Sequence, residues 1–360
     1  MPSGHILITG ASGLVGRAAM EHFARRGFAV TAISRRAPLE THGARWLSLD
    51  LADERACKAA LGGMSDVTQI VFAALHEEPE LVAGWTQQAH VDRNGAMLRN
   101  TLEPIARASR ALRNVTILQG PKAYGVHVKP MRPGAREDRD EDRAIPNFYW
   151  AQQDYLADRQ RGEAWGWTVM RPALVVGLAV GGAMNLLAAI GVYAALLKQR
   201  GEPLHYPGGS GSLLEATDTD LMARAFEWAA AAEGARNQAL NLTNGELFSL
   251  RDQWPVIAES LDMRPGDDAP LGFADELPKH AHEWDRVRAQ RGLVAPSLDA
   301  FLGQSLQFAD FVFARTARGA VGASSISTIK IRRAGFHDTL YTDEMLRKWF
   351  ARYRAARLLP

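Results

Sequence analysis

The residues with the plainest chemical purpose are Gly10-Ala11-Ser12-Gly13-Leu14-Val15-Gly16, which follow the apolar run His5-Ile6-Leu7-Ile8-Thr9 and open an amphipathic stretch from about Leu14 to Arg26. Glycines spaced this way between a strand and a helix aim backbone N–H groups and a helix N-terminus at one point, where a dinucleotide diphosphate is the natural ligand. A side chain at Gly10 or Gly13 would obstruct the tight turn and the approach of the pyrophosphate, and Gly16 lets the helix pack against the sheet. Nicotinamide cofactors with a free 2′-hydroxyl usually meet an acidic residue about 20 residues past the glycines. Ser34-Arg35-Arg36 stands there instead, and two guanidinium groups would fork onto a 2′-phosphate. NADP(H) is therefore expected over NAD(H); the plainer alternative is a pair of solvated arginines. Asp50, beside Leu51, closes a third run, and its carboxylate could accept from an adenine amino group or cap the next helix.

Such a site needs parallel strands joined by crossover helices, and the first half of the chain alternates accordingly. After His5–Thr9 come Phe28–Ile33, Ala44–Leu49, Thr68–Ala74 and Val115–Leu118, separated by amphipathic stretches. The near-continuous apolar character of the first, second and fourth runs is that of a sheet covered on both faces. The fold class is α/β: a Rossmann-type doubly wound parallel sheet with a smaller, mostly helical C-terminal substrate lobe. Residues 1–177 are expected to form the NADP-binding domain, joined by a returning segment near 206–245, with 178–205 and 246–360 forming the lobe. Within these, Asn185–Leu197 reads as an apolar helix, Pro207–Ser212 as a turn, Asp218 and Asp220 as the acidic start of a helix, and Ala239–Gly245 as a late strand ending in a turn. Lys129–Arg143, charge-dense and holding Pro130 and Pro133, reads as a solvated excursion that stands apart from the chemistry.

Composition narrows the function classes. Lys+Arg 42 against Asp+Glu 40 leaves a net charge of +2, which gives no electrostatic footprint for nucleic acid or an anionic membrane. A chain of 360 residues that is 47% hydrophobic and 23% charged can bury a substantial core and is neither collagen-like nor disordered. The single cysteine, Cys57, excludes an internal disulfide and a Cys-rich metal site and fits a reducing cytosol. The N-terminal residues carry no signal-peptide pattern, so a cytoplasmic location is expected. Pro172–Leu197 lacks charge and is long enough to cross a bilayer by count, but Gly177, Gly181 and Gly182 divide it, so it reads as a buried strand, a loop and a buried helix. His76, His127, His205, His280 and His282 lack ligand spacing with a nearby carboxylate, so no metal is expected. Gly208-Gly209-Ser210-Gly211 lies in a turn and not after an apolar strand, which removes a hydrolase nucleophile elbow.

The glycine spacing resembles the short-chain dehydrogenase/reductase superfamily, whose usual catalytic pair is Tyr-x-x-x-Lys on one helix. That pair is absent: four residues after Tyr149, Tyr155 and Tyr193 stand Gln153, Arg159 and Leu197. Present instead are Gln119-Gly120-Pro121-Lys122-Ala123-Tyr124-Gly125 and Asn147-Phe148-Tyr149-Trp150 leading into Gln153-Asp154. These runs resemble the lysine and tyrosine motifs of the progesterone 5β-reductase / iridoid synthase-like family of 1,4-enone reductases. The resemblance continues through Arg171-Pro172 with Gly177, Met184-Asn185-Leu186, Val192-Tyr193-Ala194-Ala195, Asp218 with Asp220-Leu221, and Asn241 to Gly245, nearly the whole chain.

The resemblance implies NADPH-dependent reduction of the C=C bond of α,β-unsaturated carbonyl compounds, with Tyr149 and Lys122 catalytic. Hydride added to the β-carbon leaves negative charge on the carbonyl oxygen, which a phenol O–H stabilises as an oxyanion hole does. Lys122 supplies positive charge near the phenol and can hold the nicotinamide ribose. Cofactor contacts are implied for Ser12, Leu14 and Val15 around the diphosphate, for Leu75 and Tyr149, and for Val175 and Met184 on the nicotinamide side. The sequence departs from the plant members at Leu75, where they carry threonine, at Ala123, where they carry histidine, and at Trp150, which replaces a second tyrosine. The loop between the two motifs is also shorter. Small cyclic or linear enones are thus expected in an apolar pocket, ahead of steroids or iridoids, and family habit implies a homodimer. The rivals are a carbonyl reductase or nucleotide-sugar epimerase on the same scaffold, and a non-catalytic NADP(H)-sensing regulator that uses its C-terminal lobe on a partner protein.

Overall fold

Ile6, Leu7 and Ile8 are all buried although alternate residues of a strand point to opposite sides, because helices cover both faces of the sheet they belong to. The protein is seen in a computed structural model that describes residues 4–209, 212–313 and 324–360. The chain divides into two units, residues 1–173, 219–243 and 326–338 in the first and 174–218, 244–325 and 339–360 in the second.

The first unit holds seven strands: β1 (His5–Thr9), β2 (Ala29–Ser34), β3 (Arg45–Ser48), β4 (Val67–Phe72), β5 (Asn114–Leu118), β6 (Gly166–Pro172) and β7 (Gln238–Leu242). They pair in parallel in the order β7-β6-β5-β4-β1-β2-β3. The order reverses between β1 and β4, and the carboxyl ends of those strands flank the crevice where an open α/β sheet takes its ligand. On one face Leu7, Ile70, Val115 and Val169 pack against Leu98, Leu102, Ile105 and Leu156, from the helices Gln88–Ala108 and Phe148–Gln160. Each fully buried Leu or Ile contributes about 2 kcal/mol. The helices Leu14–Arg25 and Thr219–Ala229 pack on each other and bury Met20, Phe23 and Phe226 over the opposite face. The edge at β7 is met by the short helix Ile329–Arg333, where Lys330 donates to the Ala239 carbonyl at 2.9 Å.

The second unit has its own core, in which Trp254, Trp284, Phe301, Trp349 and Tyr353 surround the helix Leu186–Gln199. Every residue of that helix from Leu186 to Leu197 is buried, as expected for a helix apolar all round. The unit is mostly helical and also carries two small sheets, one of Leu174–Val176, Leu213–Asp218 and Leu247–Ser249, the other of Leu204–Tyr206 and Pro265–Asp268. The stretch Pro172–Leu197 resolves into the end of β6, a short strand and this helix. Among the described residues no helix is long and apolar enough to cross a membrane, and no three or more His, Cys, Asp or Glu side chains gather as a metal site.

Several expectations need correction. Residues 206–218 belong to the second unit and 326–338 return to the first. A helix starts at Thr219 with Asp220 in its first turn, as expected, but Asp218 is the last residue of the preceding strand: it is buried, and its carboxylate accepts from Trp349 Nε1 at 2.7 Å and Lys348 Nζ at 2.6 Å. Ser210 and Gly211, within the turn expected at Pro207–Ser212, lie outside the described residues. The charged segment Lys129–Arg143 is largely solvent-exposed, as expected, but it is tied to the sheet at points, since Met131, Ala135 and Glu137 are buried within it. Glu137 accepts from the Asn241 backbone N–H at 2.7 Å, and Glu141 pairs with Arg171 at 2.6 Å. The cause is Arg171, wholly buried in β6, whose charge demands a carboxylate that this segment delivers.

Candidate active site

Gly10 turns the chain after β1 with φ +72°, and a Cβ there would lie 2.5 Å from the Ala73 carbonyl oxygen after β4. The loops after the two switch-point strands therefore touch backbone to backbone, which only glycine permits. A Cβ at Gly16 would lie 2.2 Å from the Gly10 carbonyl oxygen, so Gly16 packs the helix against the glycine turn itself and not against the sheet. Gly13 is the N-cap of helix Leu14–Arg25 and no side chain caps that helix. The N–H groups of its first turn, at Leu14, Val15 and Gly16, thus lack the partners that a capped helix gives them, in a cradle with the partly exposed Ser12. A diphosphate fits that donor set.

Arg35 and Arg36 are exposed immediately after β2. Their backbone is pinned by hydroxyls: Ser34 Oγ donates to the Arg36 carbonyl at 2.6 Å and Ser48 Oγ to the Arg35 carbonyl at 3.3 Å. Asp50 is exposed, Leu51 is buried, and the Asp50 carboxylate accepts from Ala52 N–H at 3.0 Å. It does not cap the next helix; Asp53 does, accepting from Ala56 N–H at 2.9 Å. Val175 and Met184 lie in the second unit, on the strand Leu174–Val176 and just before the N-cap Asn185. Cys57 is buried, and burial first, then Asp53 and Asp50, push its thiol up to about 11, which leaves it inert.

The lysine and tyrosine motifs converge in the first unit. Lys122 stands on a 3-10 turn, Pro121–Tyr124, that follows β5, begins with proline and ends at left-handed Gly125. Tyr149 lies in the first turn of helix Phe148–Gln160, whose N-cap Asn147 accepts from Tyr149 N–H at 3.2 Å. Both side chains are buried. The ammonium of Lys122 sits 4.1 Å above the Trp85 ring and 5.7 Å from the centre of the Tyr149 ring. A Cβ at Gly120 would lie 3.3 Å from the Tyr149 hydroxyl, so that glycine leaves room beside the phenol. Leu75 packs with Val91 against Ala123, Phe148, Tyr149 and Trp150.

Beneath the pair, Gln119 donates to the Tyr149 carbonyl at 3.1 Å and to Gln153 Oε1 at 3.0 Å, and accepts from Arg171 Nε at 2.8 Å. The motif glutamine thus ties the end of β5, the tyrosine helix and the buried arginine of β6 together. Burial, then the charge of Glu77, push the Tyr149 phenol far above its ordinary range, with Arg171 opposing weakly. Burial pulls the Lys122 amine down to about 8, with Glu77 opposing. His127 falls to about 4 through burial and the Lys122 charge. At neutral pH the phenol is a neutral donor, the imidazole neutral and the amine a buried cation.

Sequence reasoning missed Trp85, His90 and Glu77. Glu77 Oε2 accepts from Trp85 Nε1 at 3.1 Å and from His90 Nε2 at 3.2 Å. The one available signal was an acidic pair, Glu77-Glu78, just past the carboxyl end of a switch-point strand.

An (S)-8-oxocitronellyl enol synthase of Nepeta racemosa is 29% identical over 313 residues, covering 81% of this chain and 78% of that protein. The 3-oxo-Delta(4,5)-steroid 5-beta-reductase of Arabidopsis thaliana is 26% identical over 334 residues, covering 89% and 81%. Among solved structures, the UDP-glucose 4-epimerase of Thermotoga maritima with UDP-glucose superposes with a TM-score of 0.68 at 16% identity, covering 98% and 99%, a likeness of fold. Residues 7–360 match the PRISE-like Rossmann-fold domain, and the chain is a member of that family.

Proposed function

We propose that the protein is an oxidoreductase that uses NADPH to reduce the C=C bond of small α,β-unsaturated carbonyl compounds. The observation that carries this reading is the burial of Lys122 and Tyr149 side by side from two separate segments, with no Tyr-x-x-x-Lys helix. Relatives named as an enol synthase and a steroid 5-beta-reductase support it.

The glycine cradle would hold the cofactor diphosphate, and Arg35 and Arg36 its 2′-phosphate. When bound, NADPH supplies hydride to the β-carbon of the alkene. Tyr149, kept protonated by its surroundings, donates a hydrogen bond to the carbonyl oxygen as that oxygen takes up enolate charge. Lys122, buried beside the Tyr149 ring, stabilises that developing charge in surroundings of low effective dielectric. Gly120 keeps the space beside the hydroxyl open, and the Gln119–Arg171 network holds the helix that carries it. Val175 and Met184 are proposed to approach the nicotinamide; an apolar substrate, a cytoplasmic location and a homodimer are proposed on the same footing.

The test is NADPH consumption with 2-cyclohexen-1-one, with product identification, for the wild type and Tyr149→Phe. The saturated ketone is expected from the wild type, and the variant should lose about 3 kcal/mol of transition-state stabilisation, on the order of a hundredfold in kcat. Tight NADPH binding without reduction of any enone would sink the reading.

A further inference from the structure

We propose that Glu77 is a positioning residue of this site: its buried carboxylate orients Trp85, on whose face the Lys122 ammonium lies, and His90, which packs on Phe148, and it supplies negative charge near that ammonium. The inference rests on the enone-reductase reading only for the use made of that ammonium.

The geometry is a single acceptor serving two ring donors. The Glu77 side chain is 4% exposed and that of His90 wholly buried. Trp85, which donates its indole N–H to Glu77 Oε2, carries the Lys122 ammonium on its face at 4.1 Å. His90, which meets the same oxygen, packs edge-on against Phe148 at 5.2 Å, and the Phe148 ring centre lies 5.8 Å from the ammonium. An oxygen accepting from both needs His90 in the tautomer protonated at Nε2, which the carboxylate enforces. Without the Glu77 acceptor the hydrogen bonds that orient the Trp85 and His90 rings would be lost.

Charge completes the argument. An ammonium taken from water into a cage of rings recovers part of its hydration through the ring faces; the remainder needs an anion. Of the other ionisable groups around Lys122, His127 has been driven neutral and Tyr149 is held as the neutral phenol. Glu77 opposes the burial that pulls the amine down to about 8. The carboxylate therefore sets how much of Lys122 is charged at working pH, without touching substrate.

The experiment is an NMR titration of the lysine Cε–Nζ groups in labelled, cofactor-free full-length protein, with Lys122 assigned by its loss in Lys122→Met. In the wild type Lys122 should titrate near 8 and in Glu77→Gln lower, with the other lysines unmoved; an unchanged Lys122 midpoint in a folded Glu77→Gln variant overturns the proposal. The pH above which kcat/KM declines should move with the midpoint. Since the titration involves no turnover, a moved midpoint in a protein that reduces no enone keeps the positioning role and discards the enone reading. Should Glu77→Gln fail to fold, Lys122→Met supplies the second test. With the cation gone the carboxylate keeps only its two ring donors, so Glu77→Gln should be tolerated better in the Lys122→Met background than alone, as a smaller loss of melting temperature or as recovery of folding; an equal loss in both backgrounds, or a double variant that also fails to fold, refutes the coupling.

Discussion

Replacing Lys122 by methionine should make the protein more stable near neutral pH and inactive. Methionine keeps the chain length and packing against Trp85 but carries no charge into the aromatic cage. Burial takes the amine from 10.5 to about 8, and at about 1.4 kcal/mol for each pH unit the buried charge costs about 3 kcal/mol. The sign follows from proton counting. Below about pH 8 folded and unfolded chains both hold the proton, and the full penalty is present. Between about 8 and 10.5 the unfolded lysine keeps a proton that the folded one has released, so wild-type stability rises with pH through that window and levels off above it. Urea unfolding of both proteins at intervals from pH 7 to pH 10.5 should give a stability gap favouring Lys122→Met by up to about 3 kcal/mol at the acid end, closing towards the alkaline end. A gap that stays constant with pH, or a wild type that is more stable at pH 7, would refute the reasoning that the ammonium is buried at a cost.

Three further outcomes are expected. Gly10→Ala forces a methyl group against the Ala73 carbonyl at a left-handed φ; it should cost about 2 kcal/mol or more and abolish the fluorescence enhancement of added NADPH. Glu141→Ala strands the buried Arg171 charge and should lower stability by about 3 kcal/mol, read as a lower urea midpoint, whereas the exposed pair Arg136–Asp138 should tolerate Asp138→Ala with no change in that midpoint. The double variant Arg35→Ala/Arg36→Ala should weaken NADPH binding about tenfold or more by calorimetry while leaving NADH unaffected; equal losses for both cofactors would remove these arginines from the 2′-phosphate.

The cofactor-facing half of the fold was legible because its signals are local. β1 spans His5–Thr9 as expected, and the following helix ends one residue short of the expected Arg26, since apolar runs and glycine spacing are read within a few neighbours. β6 was harder: Arg171 interrupts an apolar run, and a buried arginine inside a strand looks in sequence like the strand's end. The anchoring of the Lys129–Arg143 segment was missed for the mirror reason. Its carboxylates read as solvated, and their partners, Arg171 and the Asn241 backbone, are far away in the chain. At the site, resemblance located Lys122 and Tyr149 and the structure placed them together, but only the acidic pair with Glu78 marked Glu77 in the sequence. Its significance depends on Trp85, His90 and Lys122, which arrive from three segments and meet only after folding.

The return of residues 326–338 to the first unit bears on how the protein is made. On the ribosome, β1 to β6 are available once residue 172 has emerged, yet β7 and the helix Ile329–Arg333 that meets it come much later. Until then the nascent sheet ends at β6 with an open hydrogen-bonding edge, the kind of template that recruits other chains. Asn241 closes the arrangement by bonding Ala135 and Ser327 carbonyls at 3.0 and 3.1 Å, a knot tied only once Ser327 has been added. A stop codon before residue 326 would therefore deprive the nucleotide-binding half of its last clasp, although every glycine of its cradle had been made some three hundred residues earlier.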